Sequence, residues 1–150
     1  MRPRYICAAA GLAILALTIA SASDASFQSN SAQYTRIVKR IRLTGQVGGG
    51  PLTTLFTPSV SGQYRVSGYS VTTTPDPNTS SSILEDLFWF DGTDSQTAGP
   101  GNLCLMSTHC FTSFATVIRA KAGQPVSYQL ILSGDPTTAV YSFFVTVEKL

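Results

Sequence analysis

The segment Ala139-Val140-Tyr141-Ser142-Phe143-Phe144-Val145-Thr146-Val147-Glu148 decides the fold. Tyr141, Phe143, Val145 and Val147 fall on one side of an extended chain, and Ser142, Phe144, Thr146 and Glu148 on the other. A two-residue period of this kind marks a strand with one buried face. The preceding segment repeats the pattern, with Val126, Tyr128, Leu130 and Leu132 alternating with Ser127, Gln129 and Ile131. Gly134-Asp135-Pro136 separates the two strands by turn chemistry, and Ala122-Gly123 precedes the first of them.

Further strands follow upstream. Phe111 to Ala120 is one. Ile83 to Phe90 is almost continuously apolar and includes Trp89, so burial over most of its surface is expected. Gly62 to Thr73 is rich in Tyr, Val, Ser and Thr, and ends at the turn Pro75-Asp76-Pro77-Asn78. Leu52 to Thr57 is a short strand closed by Pro58, after the turn Gly48-Gly49-Gly50-Pro51. Asp91 to Gly101 reads as a polar loop. In Arg36 to Leu43, Ile37, Ile41 and Leu43 alternate with Arg36, Arg40 and Arg42, which gives a strand with one basic face. A helical reading would instead group Tyr34, Ile37, Val38 and Ile41; β-branching and the Thr44-Gly45 break favour the strand. Seven or eight short strands with Gly/Pro turns imply an all-β, two-sheet antiparallel sandwich, a jelly roll in preference to an Ig-like topology. Tyr64, Val66, Trp89, Tyr128, Leu130, Tyr141, Phe143 and Val145 are its expected core.

Two segments carry a family resemblance. Phe56-Thr57-Pro58-Ser59-Val60-Ser61-Gly62-Gln63-Tyr64-Arg65-Val66 resembles the F-x-P-x-x-G-x-Y-x-F/V stretch of C1q/TNF-like jelly rolls. Lys121-Ala122-Gly123-Gln124-Pro125-Val126-Ser127-Tyr128-Gln129-Leu130 is similar to their K-x-G-D-x-V-x-L strand, as is the aromatic closing strand through Phe143 and Phe144. The resemblance covers about the last 110 residues and extends to jelly rolls of bacterial and phage surface proteins. It implies self-association, often as a trimer. Gln124 stands where the family has Asp, which argues against carrying over calcium binding.

Outside the sandwich, Arg2 and Arg4 precede a 15-residue apolar run from Ile6 to Ala20, followed by Ala20-Ser21-Ala22. These are the n-region, h-region and A-x-A site of a secretory signal peptide. The run is short for a membrane span, and retention as an anchor is the alternative. The expected organisation is a signal peptide at 1–22, a flexible Ser/Ala/Asn/Gln tail at 23–34 and a β-sandwich domain at 35–150. Cleavage leaves no membrane span and places the chain outside the cytoplasm, secreted, periplasmic or at the cell surface. It also leaves eight basic and eight acidic side chains. Export and a mature charge of zero both count against a nucleic-acid partner.

Cys104 and Cys110 remain after cleavage, an even number in an oxidising compartment, and a disulfide across the end of a hairpin is expected. Their spacing fits no zinc pattern, and His109 is the chain's one histidine.

Groups for catalysis are sparse. No nucleophile motif is present, and neither a metal nor another cofactor is expected. Glu85 and Asp86 sit on opposite faces of an apolar strand, so one could turn inward and need a partner, Arg65 or Arg119. A glycosidase pair of Glu85 with Asp91 or Asp94 is the enzymatic alternative. Asp91 and Asp94 are also oxygen donors at calcium-loop-like spacing, without the register or the later Glu of such a loop. The remaining candidates are interaction groups: Phe144 on the polar side of the last strand, Leu105 and Met106 in a loop, and Arg40 and Arg42 on the basic strand. Between residues 23 and 75 there are five basic and one acidic side chain, and between 76 and 150 three and seven. Charge matching between copies could set their register. The expected function is a non-enzymatic module for self-association, adhesion or structural assembly, a homo-oligomer with a cell-surface glycan or protein as further partner. A monomeric ligand-binding sandwich is the third reading.

Overall fold

A computed structural model describes residues 35–78, 80–108 and 110–150. The expected signal peptide, the tail and His109 lie outside the described residues. Eight strands are present among them: β1 (Arg36–Gln46), β2 (Thr53–Phe56), β3 (Gly62–Thr74), β4 (Ser82–Phe90), β5 (Ser95–Cys104), β6 (Phe111–Ala120), β7 (Val126–Ser133) and β8 (Val140–Lys149). They form two four-stranded antiparallel sheets, β1-β8-β3-β6 and β2-β7-β4-β5. Pairs 1–8 and 3–6 lie in one sheet and pairs 2–7 and 4–5 in the other, the strand order of a jelly roll. Only the β4–β5 connection stays within a sheet; each of the others crosses the sandwich.

The core lies between the sheets and follows the two-residue period. β8 contributes Tyr141, Phe143, Val145 and Val147, β3 contributes Tyr64 and Val66, and the facing sheet supplies Leu55, Ile83, Leu87, Leu103, Val126, Tyr128 and Leu130. The rings of Tyr128 and Phe143 meet across the layers with centroids 5.4 Å apart. Polar side chains also join the layers: Thr72 Oγ1 donates to the Cys104 carbonyl at 2.7 Å.

Four expectations about strands and loops need correction, and a fifth concerns the disulfide. Asp91 to Gly101 is not a loop throughout, because β5 occupies Ser95–Cys104. This strand is an edge, bonded only to β4, and such a position tolerates its Gly-Pro-Gly segment. Secondly, β4 is not buried on both faces. Ile83, Glu85 and Leu87 point inward, whereas Leu84 is exposed and Phe88 half-buried, since no layer covers the outside of the sheet. Trp89, expected in the core, is half-buried at its margin. Thirdly, a bulge between Ile37 and Lys39 shifts the β1 register, so Ile41 and Leu43 pack on the core but Ile37 is 43% exposed. Lastly, Leu105 is not an exposed loop residue. It is buried, its N–H donates to the Ser81 carbonyl and its own carbonyl accepts from Asp76 N–H.

Cys104 and Cys110 are disulfide-bonded, with Cα atoms 5.6 Å apart. The bridge does not close a hairpin. Cys104 ends β5 in one sheet and Cys110 precedes β6 in the other, so the bond staples a corner where the chain changes layers.

Candidate functional site

Glu85 is the most unusual side chain in the core. β4 alternation turns it inward at 2% exposure. Its partner is neither Arg65 nor Arg119: Ser70 Oγ, from β3 in the opposite sheet, donates to Oε1, and Oε2 has no hydrogen-bond partner among the described residues. Arg65 instead pairs with Glu148 at 3.4 Å on the outer face. The facing position on β5 must be Gly101, because a Cβ there would collide with Glu85 Oε2. Burial pushes the Glu85 carboxyl above its ordinary range, and the Ser70 hydrogen bond opposes this only in part. Tyr141 is pushed up to about 12, first by burial and then by the nearby Glu85. Its hydroxyl donates to the Gly48 carbonyl at 2.8 Å.

Asp91 and Asp94 are elsewhere. They bracket the β4–β5 turn, where Asp91 Oδ1 accepts from the N–H groups of Thr93 and Asp94 at 2.8 and 2.9 Å. Asp91 Oδ2 accepts from Gln96 Nε2 at 3.0 Å. These donors hold the Asp91 carboxyl below its usual range, the backbone N–H groups most strongly and the Arg119 charge least. Glu85 and Asp91 are six residue steps apart along extended chain, on the order of 20 Å. Such a distance is too long for a glycosidase pair. Asp91 and Asp94 form an Asx-capped turn, and no group of three His, Cys, Asp or Glu side chains assembles among the described residues.

A second acid is structural. Asp76 Oδ2 accepts from the N–H groups of Thr137 and Thr138 and from the Thr137 hydroxyl, and Oδ1 accepts from Asn78 N–H. It clamps the β3–β4 connection to the β7–β8 connection. Thr137 N–H is the main cause of its lowered pKa. From sequence Asp76 is a turn residue of Pro75-Asp76-Pro77-Asn78, because its partners Thr137 and Thr138 lie 61 and 62 residues away.

Of the interaction candidates, Arg40, Arg42 and Phe144 gather on the outer face of the β1-β8-β3-β6 sheet. Register aligns Arg42, Phe144, Tyr69 and Ser113 in one row across its four strands, and Arg40, Thr146, Ser67 and Ala115 in the next. Phe144 does point outward, as the alternation requires. It is half-covered by Tyr69, stacked at 4.5 Å, and the Arg42 guanidinium lies 5.6 Å from its ring centre. Sequence does not single out Tyr69, because β3 mixes aromatic, aliphatic and hydroxyl residues on both of its faces. Around this row Val117 and Phe111 are 55% and 74% exposed. Met106 is exposed too, but in the connection after β5 and away from this row.

No family model matches the chain, and no curated protein matches it. Among solved structures it is similar to the Clostridium thermocellum N-terminal endo-1,4-β-D-xylanase 10B, CBM22-1–GH10 modules complexed with xylohexaose. The match has 12% identity and a TM-score of 0.36, and covers 77% of this chain and 25% of that one.

Proposed function

We propose that the chain is an exported, non-enzymatic jelly-roll module that self-associates through the outer face of its β1-β8-β3-β6 sheet, for adhesion or structural assembly. The observation that carries this reading is the Arg42–Phe144–Tyr69 row with exposed Val117 and Phe111 around it. Ser67, Ser113 and Ala115 are small, so they leave the rings standing proud and let a second copy approach closely. Four strands of about ten residues present roughly 19 by 33 Å. Two such faces bury about 1,200 Å², the lower end for a stable interface. Pairing the same face of two copies is isologous and closes as a two-fold dimer, whereas the trimer implied by the C1q/TNF-like resemblance sets this face against a different face of its neighbour. Arg40 and Arg42 have no ion-pair partner among the described residues, which leaves them available to the acidic turns of a neighbour.

Sedimentation equilibrium tests this. The exported protein, expected to begin near Ser23 by intact mass, should be oligomeric at micromolar concentration and ordinary salt. Phe144→Asp should yield a monomer with an unchanged circular dichroism spectrum. A wild-type monomer would overturn the reading.

A further inference from the structure

The opposite side of the molecule carries a different surface. At one end of the β2-β7-β4-β5 sheet lies an open groove of about 280 Å³, close to the lower end for ligand sites. Phe88 and Phe90, outward on β4, line it together with Trp89 and Leu52. Thr97 and Ser127 supply hydroxyls and Gln124 an amide. None of the residues lining it is ionisable. Phe88 is flanked by hydroxyl residues on both neighbouring strands, because register places Thr97 on one side of it and Ser127 on the other.

From this composition we infer that the groove binds a neutral oligosaccharide. A pyranose ring has an apolar face of C–H groups that stacks on an aromatic ring, and a rim of hydroxyls that both donate and accept. Phe88 with its flanking Thr97 and Ser127 matches that arrangement. A sulfated or uronic sugar would bring negative charge to a groove with no cation to receive it, so discrimination against charged glycans follows from the same lining. The groove is open rather than enclosed, which suits a chain passing along the sheet. It belongs to the sheet opposite the self-association face, so the two properties are separable.

Trp89, the chain's single tryptophan, borders the groove and reports on it. Tryptophan emission is followed while cellohexaose, xylohexaose, mannohexaose or heparin is added to about 1 mM, where weak sites of some 4 kcal/mol half-fill. At least one neutral hexaose should shift the emission saturably, and heparin should not. Phe88→Ala should weaken the response about tenfold with its thermal unfolding unchanged. Phe144→Asp, on the opposite sheet, should bind like the wild type. The inference fails if no neutral hexaose shifts the emission, if heparin alone does, or if Phe88→Ala binds as well as the wild type.

Discussion

Glu85→Gln separates the charge of the buried carboxyl from its shape. Burial raises the carboxyl in the folded protein, while the unfolded chain ionises it near 4.5. A group whose folded pKa is raised contributes stability that is fully present below the unfolded pKa and is lost as pH rises towards the folded one. Between those limits the native state keeps one proton that the unfolded state has released. Stability therefore falls by about 1.4 kcal/mol per pH unit from this group alone. Glutamine keeps the size and can still accept from Ser70, but it cannot ionise. Its second amide hydrogen, buried beside Gly101, adds a cost that is constant with pH. Urea unfolding of both proteins at pH values from 4 to 8 measures the contrast, and only the difference between the two curves matters. Asp76 and Asp91, whose lowered pKa values act with the opposite sign at acid pH, are common to both proteins and cancel. Relative to the wild type, Glu85→Gln should gain about 1.4 kcal/mol per pH unit above about 4.5, then level off once the folded carboxyl ionises. Two parallel curves would mean that the carboxyl titrates alike folded and unfolded, which refutes its placement in a dry core.

Phe143 is 1% exposed and stacks near Tyr128, so Phe143→Ala should cost about 3–5 kcal/mol by urea denaturation; a loss below about 1 kcal/mol would invert the strand parity. Asp76→Asn should lower the melting temperature at pH 7 by loosening the clamp between the two connections. Its lowered pKa contributes stability above the ordinary carboxylate range, so this gap should close on acidification, and a gap constant down to about pH 2 refutes the clamp. Reducing the Cys104–Cys110 bond should destabilise the domain by about 2 kcal/mol, as expected for so short a loop. Alkylation of both thiols without prior reduction would show that the bond is not there.

The strands that could be read from sequence are those whose two faces differ most. β7 and β8 set large apolar groups against mostly polar ones, Ile131 and Phe144 excepted, so their core parity is correct from Val126 to Leu130 and from Tyr141 to Val147. β5 escaped because an edge strand bonded on one side can be built from Thr97, Gly99, Pro100 and Asn102, residues that otherwise signal a loop. β4 misled in the opposite way, since Phe88 and Phe90 are apolar but outward, where they line the groove. Leu105 looked exposed because its neighbours are loop-like, yet it fills the corner that the disulfide closes. Glu85 was recognised as an inward candidate, but its Ser70 partner is 15 residues away and in the other sheet. No short-range pattern encodes that contact, just as none pairs Tyr69 with Phe144 across β3 and β8.

The place of β8 between β1 and β3 has a consequence for how the chain is made. Arg36 pairs with Lys149 and Ile41 with Val145, so the first strand synthesised waits for the last before it has any neighbour in its sheet. Pairings of such long sequence separation close slowly. During translation, at about 5–20 residues per second, β1 and β3 stand apart with the strip between them empty. Sheet closure therefore waits until β8 has been synthesised and can enter the strip between β1 and β3.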